Sequence, residues 1–325
     1  MKKEIKNNKI AVNGEKDFSW YLNEAEKGNV EAQFVVGGYY YEGKNGVKKD
    51  LKKAFDWYMK AAEQGNLIAK FMIAHCYDFG IGVEKNKDRA SKLYKEIVQQ
   101  QKNAGDRPEI CLIIAFCYEY GLGVEANQQK AFEWYLKVAE KGIPEGQSEI
   151  AKRYDNGNGI KENKKEAFKW YMKAAKKGYV KAQLEVAQRY DNGKGIEKNA
   201  EESFRWWKKA AEQGDTKAQL EVAQRYDNGK GIEENKEEAF KWYMKASEKN
   251  DAKAQYNVGN CYLNGWGVKQ DEKEAFKWYM KAAKQGYAQA QFRVGQCYAL
   301  GWGTHVDPVA SEAWRVQAAK NESKE

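Results

Sequence analysis

The chain has 325 residues, a net charge of +9, 42% hydrophobic residues and three prolines. No stretch approaches the roughly 18 apolar residues that a membrane-spanning helix needs, and the first residues hold no apolar run of secretory-leader length. Lysine and glutamate interleave instead of forming blocks, so the positive charge reads as solvated helix faces and not as a nucleic-acid surface.

Residues 1–16 are polar and lysine-rich and are expected to form a disordered tail outside the folded array. Residues 17–28, with Phe18, Trp20 and Tyr21, match the second half of the unit that follows and form a half-repeat cap. Units then follow at 29–65, 66–105, 106–142, 143–178, 179–214, 215–250, 251–286 and 287–321, with residues 322–325 as a tail. The stretch KAQLEVAQRYDNGKGIE at 181–197 returns letter for letter at 217–233. A fixed period of this kind marks a repeat array, one continuous stack despite a length that would otherwise suggest two domains.

Each unit reads as helix, glycine turn, helix, glycine turn. In the unit at 179–214 the first half places Ala182, Val186, Ala187 and Tyr190 on one face, a helical period. Asn192-Gly193-Lys194-Gly195 breaks it. The second helix carries Phe204, Trp206, Trp207, Ala210 and Ala211 and stops at Gly214. Its expected N-cap is Asn199, in a row with Asp50, Asn86, Asn127, Asn163, Asn235, Asp271 and Asp307. Glu166, Glu202, Glu238 and Glu274 sit where a reciprocal capping box would place them. The stop row is Gly28, Gly65, Gly105, Gly142, Gly178, Gly214, Asn250 and Gly286, residues that take positive φ cheaply. The unit at 66–105 is four residues longer than the strict period, and that at 106–142 one longer. In the last unit Glu312 and Arg315 replace the usual Phe and Tyr, as expected where no further repeat stacks.

The pattern A-x-Q…A-x-x-Y-x-x-G-x-G-[VI] followed by A-F-x-W-Y-x-K-A-A-x-x-G, clearest over 165–214, resembles the Sel1-like repeat family. The resemblance runs from about Asp17 to Asn321. It implies an all-α fold, a right-handed α/α superhelix of helix-turn-helix repeats whose first helices line a concave groove. It also implies a scaffold or adaptor role in protein complexes. Some secreted relatives staple the helices of each repeat with a disulfide. Here Cys76, Cys117, Cys261 and Cys297 share one first-helix position, Cys111 lies in the same helix as Cys117, and no second helix has a cysteine. That pattern points to a reduced, cytoplasmic protein.

Little suggests chemistry. The seven Gly-x-Gly turns lack the preceding strand and third glycine of a dinucleotide fingerprint. Two histidines, His75 and His305, lie far apart, and no zinc-type spacing occurs. No cofactor or metal is expected, no nucleophile–base pair stands out, and the chain reads as non-enzymatic. The Gln row (Gln33, Gln147, Gln183, Gln219, Gln255, Gln291) is expected to bond between helices, and the tryptophan row to pack in the core.

The expected ligand is a segment of another protein in the groove, with neither nucleic acid nor membrane insertion. On the groove stripe of the first helices, units two and three carry Ile68, Met72, His75 and Phe79, then Ile113, Phe116 and Tyr120, where later units are polar. Such a cluster, if exposed, marks an interaction surface; otherwise the longer helix of unit two, or tail residues Ile5, Ile10 and Val12, covers it. Trp266 and Trp302, central in their Gly-x-Gly turns, are expected side by side as a second contact site. A hydrolase of the kind claimed for cysteine-rich relatives and a basic nucleic-acid-binding solenoid are the alternative readings.

Overall fold

A computed structural model describes residues 17–44, 46–100 and 107–322. The expected tail with Ile5, Ile10 and Val12, the stop at Gly105 and the last three residues lie outside them. The described chain holds seventeen α-helices and no strand. They fall into two compact units, Met1–Glu162 and Asn163–Glu325. Unit 1 contains α1 (Phe18–Glu26), α2 (Val30–Glu42), α3 (Leu51–Glu63), α4 (Leu67–Phe79), α5 (Lys87–Gln99), α6 (Pro108–Tyr120), α7 (Gln128–Glu140) and α8 (Pro144–Asn156). Unit 2 contains α9 (Lys164–Lys176), α10 (Val180–Asn192), α11 (Ala200–Glu212), α12 (Thr216–Asn228), α13 (Lys236–Ser247), α14 (Ala252–Asn264), α15 (Glu272–Lys284), α16 (Ala288–Leu300) and α17 (Pro308–Glu322). Within each unit, successive helices pack as the antiparallel pairs of an α/α solenoid.

The local signals that end each helix are those the sequence carries. All eight second-helix caps accept a backbone N–H from the first turn, as Asn199 does from Glu202 at 2.8 Å and Asp307 from Ala310 at 2.9 Å. The stop residues take positive φ, and Asn250 at +61° is the one non-glycine among the described residues to do so. The capping box does not form. The cap N–H groups of Asn199, Asn235 and Asp271 already donate to the carbonyls of Tyr190, Tyr226 and Tyr262, leaving no donor for a returning glutamate. Glu202, Glu238 and Glu274 instead pair with Arg205, Lys241 and Lys277 three residues on.

One contact sets the register between neighbouring repeats. In every described Gly-x-Gly turn except the one at Gly123, the second glycine lies against the opening turn of the preceding second helix. At Gly231 a Cβ would come within 2.1 Å of the Ala200 carbonyl oxygen, and at Gly267 within 2.0 Å of that of Lys236. In unit 1 Gly82 and Gly159 meet the carbonyls of Leu51 and Gln128 in the same way. A T-shaped ring pair locks the same junction, Phe55 on Tyr77 in unit 1 and Phe204 on Tyr226 in unit 2, with centroids 5.4 and 5.2 Å apart. Backbone lies on backbone here, and only glycine allows it.

The core between helices is built on small residues and aromatics. Ala182, Val186, Ala187, Ala210 and Ala211 are buried, as are Trp134, Trp206 and Trp242. Trp57, Trp170 and Trp278 are half-buried, and a lysine three residues on covers each ring, at 3.7 Å from the centroid for Lys173 and Lys281.

Two substitutions test this register. Gly231→Ala should destabilise unit 2 by about 2 kcal/mol or more, since the added Cβ meets backbone and φ is +74°. Gly28→Ala, at φ +93° with nothing within 4 Å, should cost only about 1–2 kcal/mol. Equal denaturation midpoints for the two variants would contradict the close approach.

Candidate interaction surface

The junction between the second and third repeats of unit 1 breaks the register rule. By the pattern elsewhere, Gly123 should meet Lys87, the first residue of α5. Its nearest backbone atoms are instead the Ser91 carbonyl oxygen and the Lys95 nitrogen, at 2.6 and 2.4 Å from an ideal Cβ. Ser91 lies four residues, one helical turn, beyond Lys87. The extra residues between α5 and α6 are therefore absorbed as a slip of one turn, about 6 Å along the axis. Ser91 stands where the other junctions have the ring-pairing phenylalanine, and its small side chain lets the Gly123 loop settle there.

This slip explains the apolar stripe. The α5 helix runs antiparallel to α4, so α6 is drawn back toward the N-terminal end of α4, and the two first helices touch directly. Phe116 meets Phe71 at 6.2 Å, where an unslipped register would set Leu112 opposite Phe71. Met72, His75 and Ile113 are accordingly buried, with Ile68 and Phe116 half-buried. Most of the cluster is thus not exposed as an interaction surface, because repeats two and three use these residues as a junction. Two rings of the stripe are exposed: Phe79 at 49% and Tyr120 at 52%. Each leans on the ring one turn before it in its own helix, Phe79 on His75 at 4.6 Å and Tyr120 on Phe116 at 4.4 Å. With α6 drawn back, Tyr120 comes level with His75, and Phe79 extends past the end of α6.

Trp266 and Trp302 in unit 2 form no ring pair with each other among the described contacts. Trp266 is 43% exposed and lies under the Lys236 ammonium, 5.7 Å from its centroid. Trp302 is half-buried against the cluster around Tyr279 and Val294. Each ring thus covers the helix junction behind its own turn.

The Gln row joins helices as expected. In unit 2 Gln183 donates to the Ala175 carbonyl and accepts from Gln213, and Gln255 accepts from Gln285 at 2.8 Å. In unit 1 Gln33 bonds Ala25 and Gln64 in the same pattern. No ligand role is needed to account for these amides.

A second polar feature comes from a row read only for its cysteines. The position just before the repeat tyrosine is Cys76, Cys117, Cys261 or Cys297 in four repeats, but Arg153, Arg189 or Arg225 in three. Each of these arginines is 1–3% exposed. Arg153 lies on the Tyr135 ring at 4.3 Å and pairs with Glu119 at 2.8 Å. Arg225 pairs with Asp191 at 2.5 Å and Glu221 at 2.9 Å, and the Trp207 indole also donates to Asp191. Burial pushes the Asp191 carboxyl up, but the hydrogen bonds from Arg225 and Trp207 and the Arg225 charge outweigh it, so the net shift is down. Arg153 and Arg225 are held by ion-pair partners inside the fold. A helical face mapped across all repeats would have shown three charges at a core position.

The cysteines are free and buried, and burial pushes the thiols of Cys76, Cys117 and Cys261 up to about 12. They are too poorly ionised near neutral pH to act as nucleophiles. No group of three metal-ligating side chains occurs among the described residues, and no helix there is long and apolar enough to cross a membrane.

Burial lowers the pKa of His75 below its ordinary 6.5, although the Asp78 charge acts the other way. The unfolded chain therefore takes up its proton first. Stability should be full above pH 6.5 and fall as pH drops toward the folded value, by at most about 1.4 kcal/mol per pH unit. Denaturation of the wild type and of His75→Gln across this window checks the sign. A wild-type curve no steeper than the variant's would rule out a buried neutral imidazole.

Comparisons with known proteins agree with this architecture. The Sel1 repeat family matches eight times, at 30–66, 67–100, 111–143, 144–179, 180–215, 216–251, 252–287 and 288–322. A Sel1 repeat protein from Oxalobacter formigenes is 29% identical, covering 93% of this chain and 86% of its own, with a TM-score of 0.61. The protective antigen c5321 of uropathogenic Escherichia coli, described as having an SLR fold, is 31% identical over 94% of this chain and 74% of its own, with a TM-score of 0.46. Cysteine-rich protein B of Helicobacter pylori is 25% identical over 39% of this chain and 93% of its own, with a TM-score of 0.33. No curated protein is similar enough in sequence to count as a match. Eight tandem matches that run from α2 to α17, on a fold of stacked helix pairs, make the chain a member of the Sel1 repeat family.

Proposed function

We propose that the chain is a non-enzymatic adaptor that holds a segment of a partner protein against the first helices of unit 1, with Phe79 and Tyr120 as its apolar anchors. The observation that carries this reading is the exposure of two large rings at 49% and 52%. Their row holds asparagine in the four repeats that follow, at Asn156, Asn192, Asn228 and Asn264. A ring where the repeat is content with an amide serves something other than stacking, and exposed aromatic side chains are common binding hot spots. The buried residues of the stripe, Met72, His75 and Ile113, act as the support that holds the rings in place, together with Ile68 and Phe116. Trp266 and Trp302 are a weaker second site, since both rings already cover junctions of the fold. The free, buried cysteines favour a reducing compartment such as the cytosol. The wider role of Sel1 repeat solenoids as protein-binding scaffolds supports the partner class.

Affinity capture with crosslinking mass spectrometry tests the site. Phe79→Asn with Tyr120→Asn should lower capture about tenfold or more while leaving the melting temperature unchanged, because asparagine already serves this row. Met72→Asp should instead unfold unit 1, since it charges a buried position. Undiminished capture by the double asparagine variant, or crosslinks that avoid α4 and α6, would overturn the assignment.

A further inference from the structure

The first helices carry a row of carboxylates, and one of them is unlike its neighbours. Two residues after the position that alternates between cysteine and arginine stand Asp78, Glu119, Asp155, Asp191 and Asp227, in five successive repeats. Glu119 pairs with Arg153 of the next repeat, and Asp191 with Arg225. Asp227 is followed by Cys261 at the arginine position and pairs instead with Lys236 at the start of α13, at 2.8 Å. Asp78 forms no ion pair and accepts no hydrogen bond among the described residues. The next repeat offers it Cys117, whose thiol stays neutral near neutral pH. Lys87, in the row of Lys236, does not pair with it among the described residues.

The hydroxyl beside this carboxylate is idle too. At Glu119 the Tyr135 hydroxyl donates to the carboxylate at 2.8 Å, while Arg153 lies on the Tyr135 ring. Tyr94 holds the matching place, sixteen residues beyond Asp78 as Tyr135 is beyond Glu119. It is 2% exposed, and its hydroxyl has no hydrogen-bond partner. Burial, and after it the Asp78 charge, push the Tyr94 hydroxyl up, so the two groups are neighbours. Buried polar groups are as a rule bonded. The carboxylate and the tyrosine of the Glu119–Tyr135–Arg153 grouping thus recur at Asp78 and Tyr94 without the arginine. Stacking does not call for an acid here, since Leu263 and Ala299 hold the same row in later repeats.

Asp78 is half-buried beside the exposed Phe79, on the last turn of α4, which extends past the end of α6. An unpaired charge and an apolar surface therefore meet in one place. We infer that the segment held by Phe79 and Tyr120 carries an arginine that pairs with Asp78, in the role that Arg153 and Arg225 have at Glu119 and Asp191. This rests on the adaptor reading above and narrows it to a partner segment with a basic residue among apolar ones. Arginine suits the place better than lysine, because its planar fork of donors meets both oxygens of a carboxylate.

Selection of a random-peptide phage library on the immobilised full chain tests this. Peptides that bind the wild type should carry an arginine, or less often a lysine, among apolar residues. Their affinity should fall about tenfold or more for Asp78→Asn. The melting temperature of that variant should be unchanged, since Asp78 bonds to no described residue. Selection on Asp78→Lys should return peptides with an acidic residue in place of the basic one. Binding that is lost with Phe79→Asn and Tyr120→Asn but untouched by Asp78→Asn would overturn this inference and leave the adaptor reading standing. Binders indifferent to all three substitutions, or no binders at all, would overturn both.

Discussion

The close approach of a turn glycine to the first turn of the preceding second helix is the constraint on which the rest of the structure depends. Helix caps and stops make the helices, but they do not say how one pair lies on the next. That is decided where Gly82, Gly159, Gly231 and Gly267 rest backbone to backbone on Leu51, Gln128, Ala200 and Lys236. A side chain at these glycines would hold the repeats apart, and the aromatic pair beside each junction would lose contact. Because the seat is one turn of helix deep, the alternative seats lie a whole turn away. Repeats two and three use such an alternative, with Gly123 seated on Ser91 and Lys95. The displacement changes what lies side by side on the first helices. It buries Met72 and Ile113 and leaves Phe79 beyond the end of α6. An exposed apolar surface thus follows from a change in stacking register, without a change in the repeat's own folding code.

Elsewhere the first helices solve a different problem, which is how to carry polar groups inside a stack. Gln33, Gln183, Gln255 and Gln291 do it with amides that both donate and accept, each spanning the gap from a helix end to the next repeat. The arginine positions do it with rings and carboxylates, as in the Arg153–Tyr135–Glu119 and Arg225–Asp191–Trp207 groupings. Buried ion pairs of this kind add little net stability but are costly to break, so they favour one arrangement over its competitors. The cysteine repeats reach the same volume with an apolar thiol. Two chemistries therefore fill one position.

Much of this was legible in the sequence because it is local. Caps such as Asn199, stops such as Gly214 and Asn250, and the bonding role of Gln183 and Gln255 each depend on residues within a repeat or on its nearest neighbour. The capping box failed for a reason the sequence does not display, since the N–H that Glu202 would have accepted from is already given to Tyr190. The burial of Met72, His75 and Ile113 failed for a longer-range reason. An insertion near residue 100 can be absorbed as a bulge, as an extended loop or as a slip, and the letters alone do not choose between them. Ser91 in place of the usual phenylalanine was the available clue. The arginines at 153, 189 and 225 were overlooked because the row was read for its cysteines alone.

The one-turn slip is the central claim, and a double-mutant cycle measures it most directly. Phe71 and Phe116 are in ring contact only in the slipped register, whereas an unslipped stack would pair Phe71 with Leu112. Unfolding free energies of Phe71→Ala, Phe116→Ala and the double variant should show a coupling of about 0.5–1.5 kcal/mol, and the matching cycle with Leu112→Ala should show a smaller one. Strong coupling of Phe71 to Leu112, with none to Phe116, would mean that the third repeat sits in the ordinary register and that Phe79 owes its exposure to something else.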